Sequence, residues 1–298
     1  PPLGGRKPGP SPDRKVPEMG WEWLDPDHTR GPGLGLRARS EVPSRGRFGT
    51  LDSMTLVLAP PPSVSSLPDR IAGIDWPKAE VDLDATGYAH IPGLLSHDEA
   101  KGIAALYPSD GFRSRVVMSR HGFGRGEYKY FAYPLPGLVQ RLRAAFYPRL
   151  RPVANRWNET LGLKTSFPED HDDFLLRCHA AGQTRPTPLL LQYGEGDYNC
   201  LHQDLYGEHV FPLQAAVLLS SPATDFVGGE FVLTEQRPRM QSRVEVVPLR
   251  QGDAVIFSVH HRPVRGTRGF YRVNMRHGVS RIRAGRRHTL GVIFHDAA

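Results

Sequence analysis

The spacing of apolar residues changes character along the chain. Before residue 69 neither a period of 2 nor one of 3.6 persists. From Trp76 onward both occur. Residues 86–91 read as a strand. Ser96-His97-Asp98-Glu99 has the form of a capping box, with serine accepting from the backbone and glutamate reaching back, and predicts a helix to about Leu106. Residues 126–133 alternate like a strand. Leu138, Leu142, Phe146 and Leu150 recur every fourth position as a helix stripe, which also places Trp157 in the core. Pro148 and Pro152 are expected to kink or break that helix. Residues 173–181 read as a short helix closed by Gly182.

After Thr184 the pattern becomes one of short strands, at 189–193, 213–220, 230–235, 243–249, 254–259, 271–275 and 289–294. Turn signals such as Gly194-Glu195-Gly196, Gly228-Gly229 and Gly252-Asp253 separate them. Many short strands so punctuated predict a sandwich or barrel. The expected architecture is therefore α+β: a double-sheet jelly-roll core over 187–298, buttressed by helical support from 69–186.

Composition adds an N-terminal boundary. Residues 1–68 hold 13 of the 28 prolines and 9 of the 31 glycines, and are expected to be disordered or loosely tethered. The apolar run at 56–59 is too short for an export signal. No aliphatic run approaches the ~18 residues of a membrane helix. Two cysteines rule out a disulfide framework and a four-thiolate zinc site. A cytoplasmic globular protein with no membrane contact is expected.

The net charge of +7 is unevenly placed. Between residues 237 and 288 there are 13 arginines and only two acids, Glu245 and Asp253. Arginine favours planar anions such as phosphate and carboxylate.

The sharpest chemical signal is His202-Gln203-Asp204. On an extended strand, residues i and i+2 face the same side, so an imidazole and a carboxylate are offered together. A further histidine from a distant strand would complete the two-histidine, one-carboxylate face that non-haem Fe(II) oxygenases use.

The motifs around that signal are Tyr193-Gly-Glu-Gly-Asp-Tyr198, Gly228-Gly-Glu-Phe231, Gly252-Asp-Ala-Val-Ile-Phe257, and His277 followed ten residues later by Arg287. Over about 187–296 the sequence resembles the Fe(II)/2-oxoglutarate dioxygenases of the prolyl-hydroxylase-like type. The resemblance implies a metal held by His202, Asp204 and His277. It implies that Arg287 holds the far carboxylate of 2-oxoglutarate in bidentate fashion, and that Tyr193 donates its hydroxyl to a carboxylate of the same co-substrate. Fe(II) is the implied cofactor, with 2-oxoglutarate and O2 as co-substrates. His260 and His261 are rival ligands, but Phe270 and Tyr271 stand ten residues after them. Arg286 competes with Arg287, yet neighbours on a strand face opposite sides, so only one can face the metal.

The stretch from Leu190 to Asp296 also resembles a bacterial oxygenase group described as acting on damaged nucleic acid. That implies hydroxylation of an N-methyl carbon on an unstacked base and loss of formaldehyde. A nucleic acid is then the expected substrate, and no obligate protein partner is evident. Arg262, Arg265 and Arg268 are expected to line a groove beside the metal and contact phosphate. Phe123, at the centre of the Gly-rich basic loop 119–126, is expected on a substrate lid. The alternatives are hydroxylation of a prolyl-type side chain in a protein, peptide or amino acid, and a non-catalytic jelly roll. Cys200 is expected in the core, and His209 in packing or at the surface.

Overall fold

Side chains alternate between the two faces of a strand. In the central strands of this protein both faces are covered, by helices on one side and a second sheet on the other. The computed structural model describes residues 66–298, within the compact unit Pro60–Ala298. The helices are α1 (Leu67–Ala72), α2 (Trp76–Thr86), α3 (His97–Ala104), α4 (Gly137–Thr160) and α5 (His171–Ala180). The early strands are β1 (Tyr88–Ile91), β2 (Phe112–Val117), β3 (Gly124–Arg125) and β4 (Glu127–Phe131). Next come β5 (Leu189–Tyr193), β6 (Tyr198–His202), β7 (Leu213–Leu218), β8 (Phe226–Gly228), β9 (Phe231–Gln236) and β10 (Arg243–Val247). The chain ends with β11 (Ala254–Ser258), β12 (His261–Gly266), β13 (Gly269–Val279), β14 (Ile282–Gly285) and β15 (Arg287–Val292).

The larger sheet has the order β1-β11-β7-β15-β5-β4-β2. The smaller runs β10-β9-β13-β6-β3, with β12 also paired to β13, and β14-β8 forms a separate ribbon. One face of the larger sheet packs Leu190, Val217, Ile256 and Leu290 against Leu142, Phe146 and Leu150 of α4. Its other face packs Leu218, Val255 and Phe257 against Phe231, Leu233 and Val279 of the smaller sheet. The result is a mixed α/β, sheet-rich molecule. Among the described residues no helix is long and apolar enough to cross a membrane.

Several local expectations are corrected. The expected 1–68 segment lies outside the described residues except at its end. There Ser66 and Asp69 form a capping box that starts α1, and Leu67 is buried. The region expected to be helical support also supplies β1 to β4, all of which join the two sheets. Helix α4 runs unbroken through Pro148 and Pro152. Both prolines sit on its solvent side, where the carbonyls they leave without an amide partner can be hydrated, while the opposite side is held by burial. The stretch between Phe257 and His277 is a hairpin, β12–β13, and it makes β13 eleven residues long rather than the five expected.

Candidate metal centre and its pocket

His202 closes β6, and His277 is its direct cross-strand partner on β13. Directly paired residues project to the same face. Both imidazoles therefore enter the space between the sheets, with ring centroids 4.2 Å apart. Asp204 reaches the same point by a different route from the one expected. Strand β6 ends at His202, so the carboxylate is delivered by irregular chain rather than by strand alternation. Its Oδ1 lies 3.3 Å from His202 Nε2 and its Oδ2 3.3 Å from His277 Nε2. The three groups offer ligand atoms within 4.8 Å of one another. Atoms about 3 Å apart are what three adjacent coordination positions require at metal–ligand lengths of about 2.1 Å. Two imidazole nitrogens and one carboxylate suit non-haem iron.

The surroundings orient these ligands. His202 Nδ1 lies 2.8 Å from the Cys200 carbonyl. A carbonyl only accepts, so Nδ1 carries the proton and Nε2 presents its lone pair inward. Tyr206 donates its hydroxyl to Asp204 Oδ1 at 2.7 Å, and Gln214 Nε2 donates to Oδ2 at 2.8 Å. Burial alone would raise the Asp204 carboxyl, but His202 and His277 beside it hold it well below the usual carboxylate range. Burial pushes the His277 imidazole down, helped by His202 and opposed by Asp204. At His202 burial is outweighed by Asp204 and the Cys200 carbonyl, and the imidazole is raised.

The pocket's other end is built from β5 and β15, where Tyr193 and Arg287 are direct cross-strand partners. Both are fully buried. Arg287 Nη1 donates to Thr289 Oγ1 at 2.5 Å, while its Nε and the Tyr193 hydroxyl have no partner. Burial pushes the Arg287 guanidinium down to about 10. Among the described residues it makes no ion pair with a carboxylate. Close backbone approach shapes this end. A Cβ on Gly229, whose φ is +65°, would stand 2.9 Å from Arg287 Cδ, and one on Gly126 would stand 2.8 Å from Tyr193 Cδ1. Arg286 points away and is exposed.

One cavity of about 210 Å³ takes in the triad, Tyr193, Arg287 and Gln214. Tyr128, Leu191, Phe231, Phe257 and Ile293 give it apolar walls. Phe123 lines it too, is 48% exposed, and stacks on His121 with centroids 5.3 Å apart.

Other expected site residues lie elsewhere. Arg262 is buried, forms an ion pair with Glu235, and donates from Nη1 to the Asp84 carbonyl at 2.8 Å. It pairs with Val273, an inward position of the hairpin, and therefore braces β12 against α2 instead of meeting a substrate. Arg265 and Arg268 are exposed near the hairpin tip and do not line the cavity. His260 and His261 stay out of the triad. Cys200 is exposed, not core. Gln214 and Tyr206 escape sequence reasoning. For Gln214 there is a signal, a single polar residue in the otherwise apolar strand Leu213–Leu218; Tyr206 has none.

Comparison with known proteins places this site in a family. Two uncharacterized proteins from two strains of Mycobacterium tuberculosis are each 53% identical over 168 residues, covering 56% of this chain and 72% of theirs. Among solved structures, a Pseudomonas putida prolyl-4-hydroxylase is 14% identical with a TM-score of 0.45, over 72% of this chain and 96% of that one. An oxidoreductase of the 2OG-Fe(II) oxygenase family from Burkholderia pseudomallei is 15% identical with a TM-score of 0.46, over 76% and 94%. The family model Oxygenase-NA, described as "Oxygenase, catalysing oxidative methylation of damaged DNA", matches residues 126–297. That match spans more than half of the chain and includes every residue of the triad; the chain belongs to this oxygenase family, an oxidoreductase whose His–Asp–His triad could hold a metal ion.

Proposed function

We propose that the protein is an Fe(II)- and 2-oxoglutarate-dependent dioxygenase that oxidatively dealkylates a damaged base of DNA or RNA, with residues 69–298 as a catalytic domain built on a double-stranded β-helix. The observation that carries the dioxygenase reading is the pairing of a buried, carboxylate-free Arg287 and an unpartnered Tyr193 hydroxyl with the triad in one cavity. A buried charge without a counter-charge costs several kcal/mol, of order 3–5 when a partner is missing. A dicarboxylate removes that cost. Its far carboxylate accepts from the Arg287 guanidinium and from Tyr193, and its other end then lies toward His202, Asp204 and His277.

When bound, iron with 2-oxoglutarate supplies O2 activation coupled to decarboxylation of the co-substrate to succinate. The chain's own groups do the rest. His202 Nε2, His277 Nε2 and an Asp204 oxygen hold the metal. Gln214 and Tyr206 keep the carboxylate turned toward it. Tyr128, Leu191 and Phe257 exclude water from the reacting carbon. Phe123 at the half-open side offers a face on which an unstacked base can rest.

The nucleic-acid substrate is supported by the damaged-DNA description of the family and by the arginine surplus. The test is anaerobic loading with Fe(II) and 2-oxoglutarate, then O2 with N-methylated oligonucleotides or with proline-containing peptides. Formaldehyde and succinate in equal amounts with the oligonucleotides are expected. Hydroxylated peptide without formaldehyde would replace dealkylation by prolyl-type hydroxylation.

A further inference from the structure

Two groups stand out among the 13 arginines of the basic stretch. Arg237, Arg243, Arg262 and Arg283 are each paired with a glutamate, and Arg287 belongs to the pocket. Arg265, Arg268, Arg272 and Arg276 are exposed on the β12–β13 hairpin and make no ion pair among the described residues.

Register places three of them on one face. Arg265 pairs with Phe270, and Arg272 with Pro263. Phe270, Arg272, Asn274 and Arg276 alternate outward along β13, while Val273, Met275 and His277 are buried inward. On the neighbouring strands Asn274 is flanked by His261 and Gln236, and Arg276 by Thr234. No outward position of β9, β10, β12 or β13 is an Asp or Glu. The face therefore combines at least three unopposed guanidinium groups, two amides and an aromatic ring, Phe270, that is 56% exposed.

A second observation falls on the same face. A cleft of about 290 Å³ beside β13 is lined by Arg237, Arg239 and Arg272 with Gln236, Asn274 and Pro238. Arg239 is exposed and carries a φ of +64°, a left-handed conformation unusual for a residue with a side chain. Arginines and amides around a concavity suit phosphate oxygens.

The row also leads to the pocket. Sheet order runs β9-β13-β6-β3. Arg276 precedes His277 on β13, and the adjacent β6 presents Leu201, 46% exposed, beside His202. Beyond β6 comes Phe123, whose carbonyl accepts from the Cys200 amide at 2.9 Å. We infer that the outward face of the β12–β13 hairpin, with the cleft beside it, is where the phosphodiester backbone of a single-stranded nucleic acid docks, so that a base several nucleotides along reaches Phe123 and the cavity. This rests on the nucleic-acid reading above. Regularly spaced phosphates match a row of cations, and bases between them match Phe270.

The test is a salt titration of fluorescence anisotropy with a labelled oligothymidylate. Three proteins are compared: wild type, the triple variant R265Q/R272Q/R276Q, and a control, R250Q/R286Q, with exposed arginines off this face changed. Each lost phosphate contact flattens the log K against log salt slope by ~0.7 for single strands. The triple variant is expected to flatten it by about two and to weaken binding evenly across sequences. The control is expected to keep the wild-type slope, and circular dichroism to show all three folded. Equal slopes in wild type and triple variant would overturn this surface while leaving a nucleic-acid substrate standing. No binding by wild type at low salt would overturn the nucleic-acid reading itself. Displacement of the oligonucleotide by equimolar polyglutamate would assign the face to an acidic peptide.

Discussion

On the helix-backed side of the molecule a buried arginine has every nitrogen engaged. Arg143 of α4 donates from Nε to the Ile293 carbonyl at 2.9 Å, from Nη1 to the Tyr133 hydroxyl at 2.8 Å, and from Nη2 to Asp296 Oδ1 at 2.7 Å. Asp296 in turn accepts from Tyr133 and contacts His179 Nε2 at 2.8 Å. In the pocket, Arg287 is just as buried but, among the described residues, hydrogen-bonds only one side chain, Thr289, lies over the Tyr193 and Phe226 rings, and meets no carboxylate. Saturated burial is what a structural ion pair needs. Unsaturated burial in a cavity marks a place where stability is given up for a ligand. Of the nine buried side-chain atoms without a partner among the described residues, four line this cavity: Tyr193 Oη, Gln214 Oε1, His277 Nδ1 and Arg287 Nε. The helix-backed region commits its arginine to the fold, whereas the pocket leaves buried polar atoms unsatisfied.

Substitution at the two arginines separates these roles. Arg143→Ala strands Asp296 in the interior and is expected to cost ~3–5 kcal/mol of unfolding free energy, read by urea denaturation. Arg287→Leu removes a charge that has no carboxylate partner among the described residues, only the Tyr193 and Phe226 rings and the Thr289 hydroxyl. It is expected to leave unfolding free energy unchanged or higher, while weakening 2-oxoglutarate by ~2–5 kcal/mol, at least about 25-fold in the concentration needed for half-maximal succinate release. Destabilisation of the Arg287 variant comparable to that at Arg143 would erase the distinction.

Gln214→Leu tests the support of the triad. Loss of the donor to Asp204 Oδ2 is expected to weaken metal binding by ~10–100-fold with the fold intact. Wild-type metal affinity in this variant would reduce Gln214 to a wall of the cavity.

Acid titration gives the smallest effect. Burial alone would raise the Asp296 carboxyl, but Arg143, His179 and Tyr133 hold it below its ordinary value. A carboxyl lowered by folding stabilises the protein above its unfolded pKa of ~3.9 and loses that contribution as pH falls through the lower folded value. Stability from this group is therefore expected to stay flat between pH 7 and 5 and to fall only below about 3.9. Urea midpoints at pH 7, 5 and 3 check this; a loss already complete at pH 5 would mean that Asp296 is not held low.

Some of the arrangement is legible in the sequence. Parity lets only one of Arg286 and Arg287 face the metal, and the ten-residue spacing after His277 favours Arg287. The turn glycines delimit β5, β7, β9, β11 and β15 to within a few residues. The grouping of His202 with His277 follows from motif order, and the structure brings them side by side with Asp204. What sequence spacing cannot supply is long-range partnership. Gly266 signals the turn of the β12–β13 hairpin, but strand β12 itself has no legible alternation, so its inward and outward positions cannot be separated beforehand. Arg262 is a substrate candidate on charge alone until Glu235, 27 residues earlier, is seen beside it. The Arg143–Asp296 pair is more distant still, at 153 residues. Cys200 sits where only the pairing of β6 with its neighbours decides exposure.

The most direct test of the account is anaerobic equilibrium dialysis of the full chain with Fe(II) and 2-oxoglutarate, in wild type, His277→Ala and Arg287→Leu. One iron and one 2-oxoglutarate per wild-type chain are expected, with loss of tight iron binding in His277→Ala and retained iron with lost 2-oxoglutarate in Arg287→Leu. Undiminished iron in His277→Ala, or undiminished 2-oxoglutarate in Arg287→Leu, would contradict it.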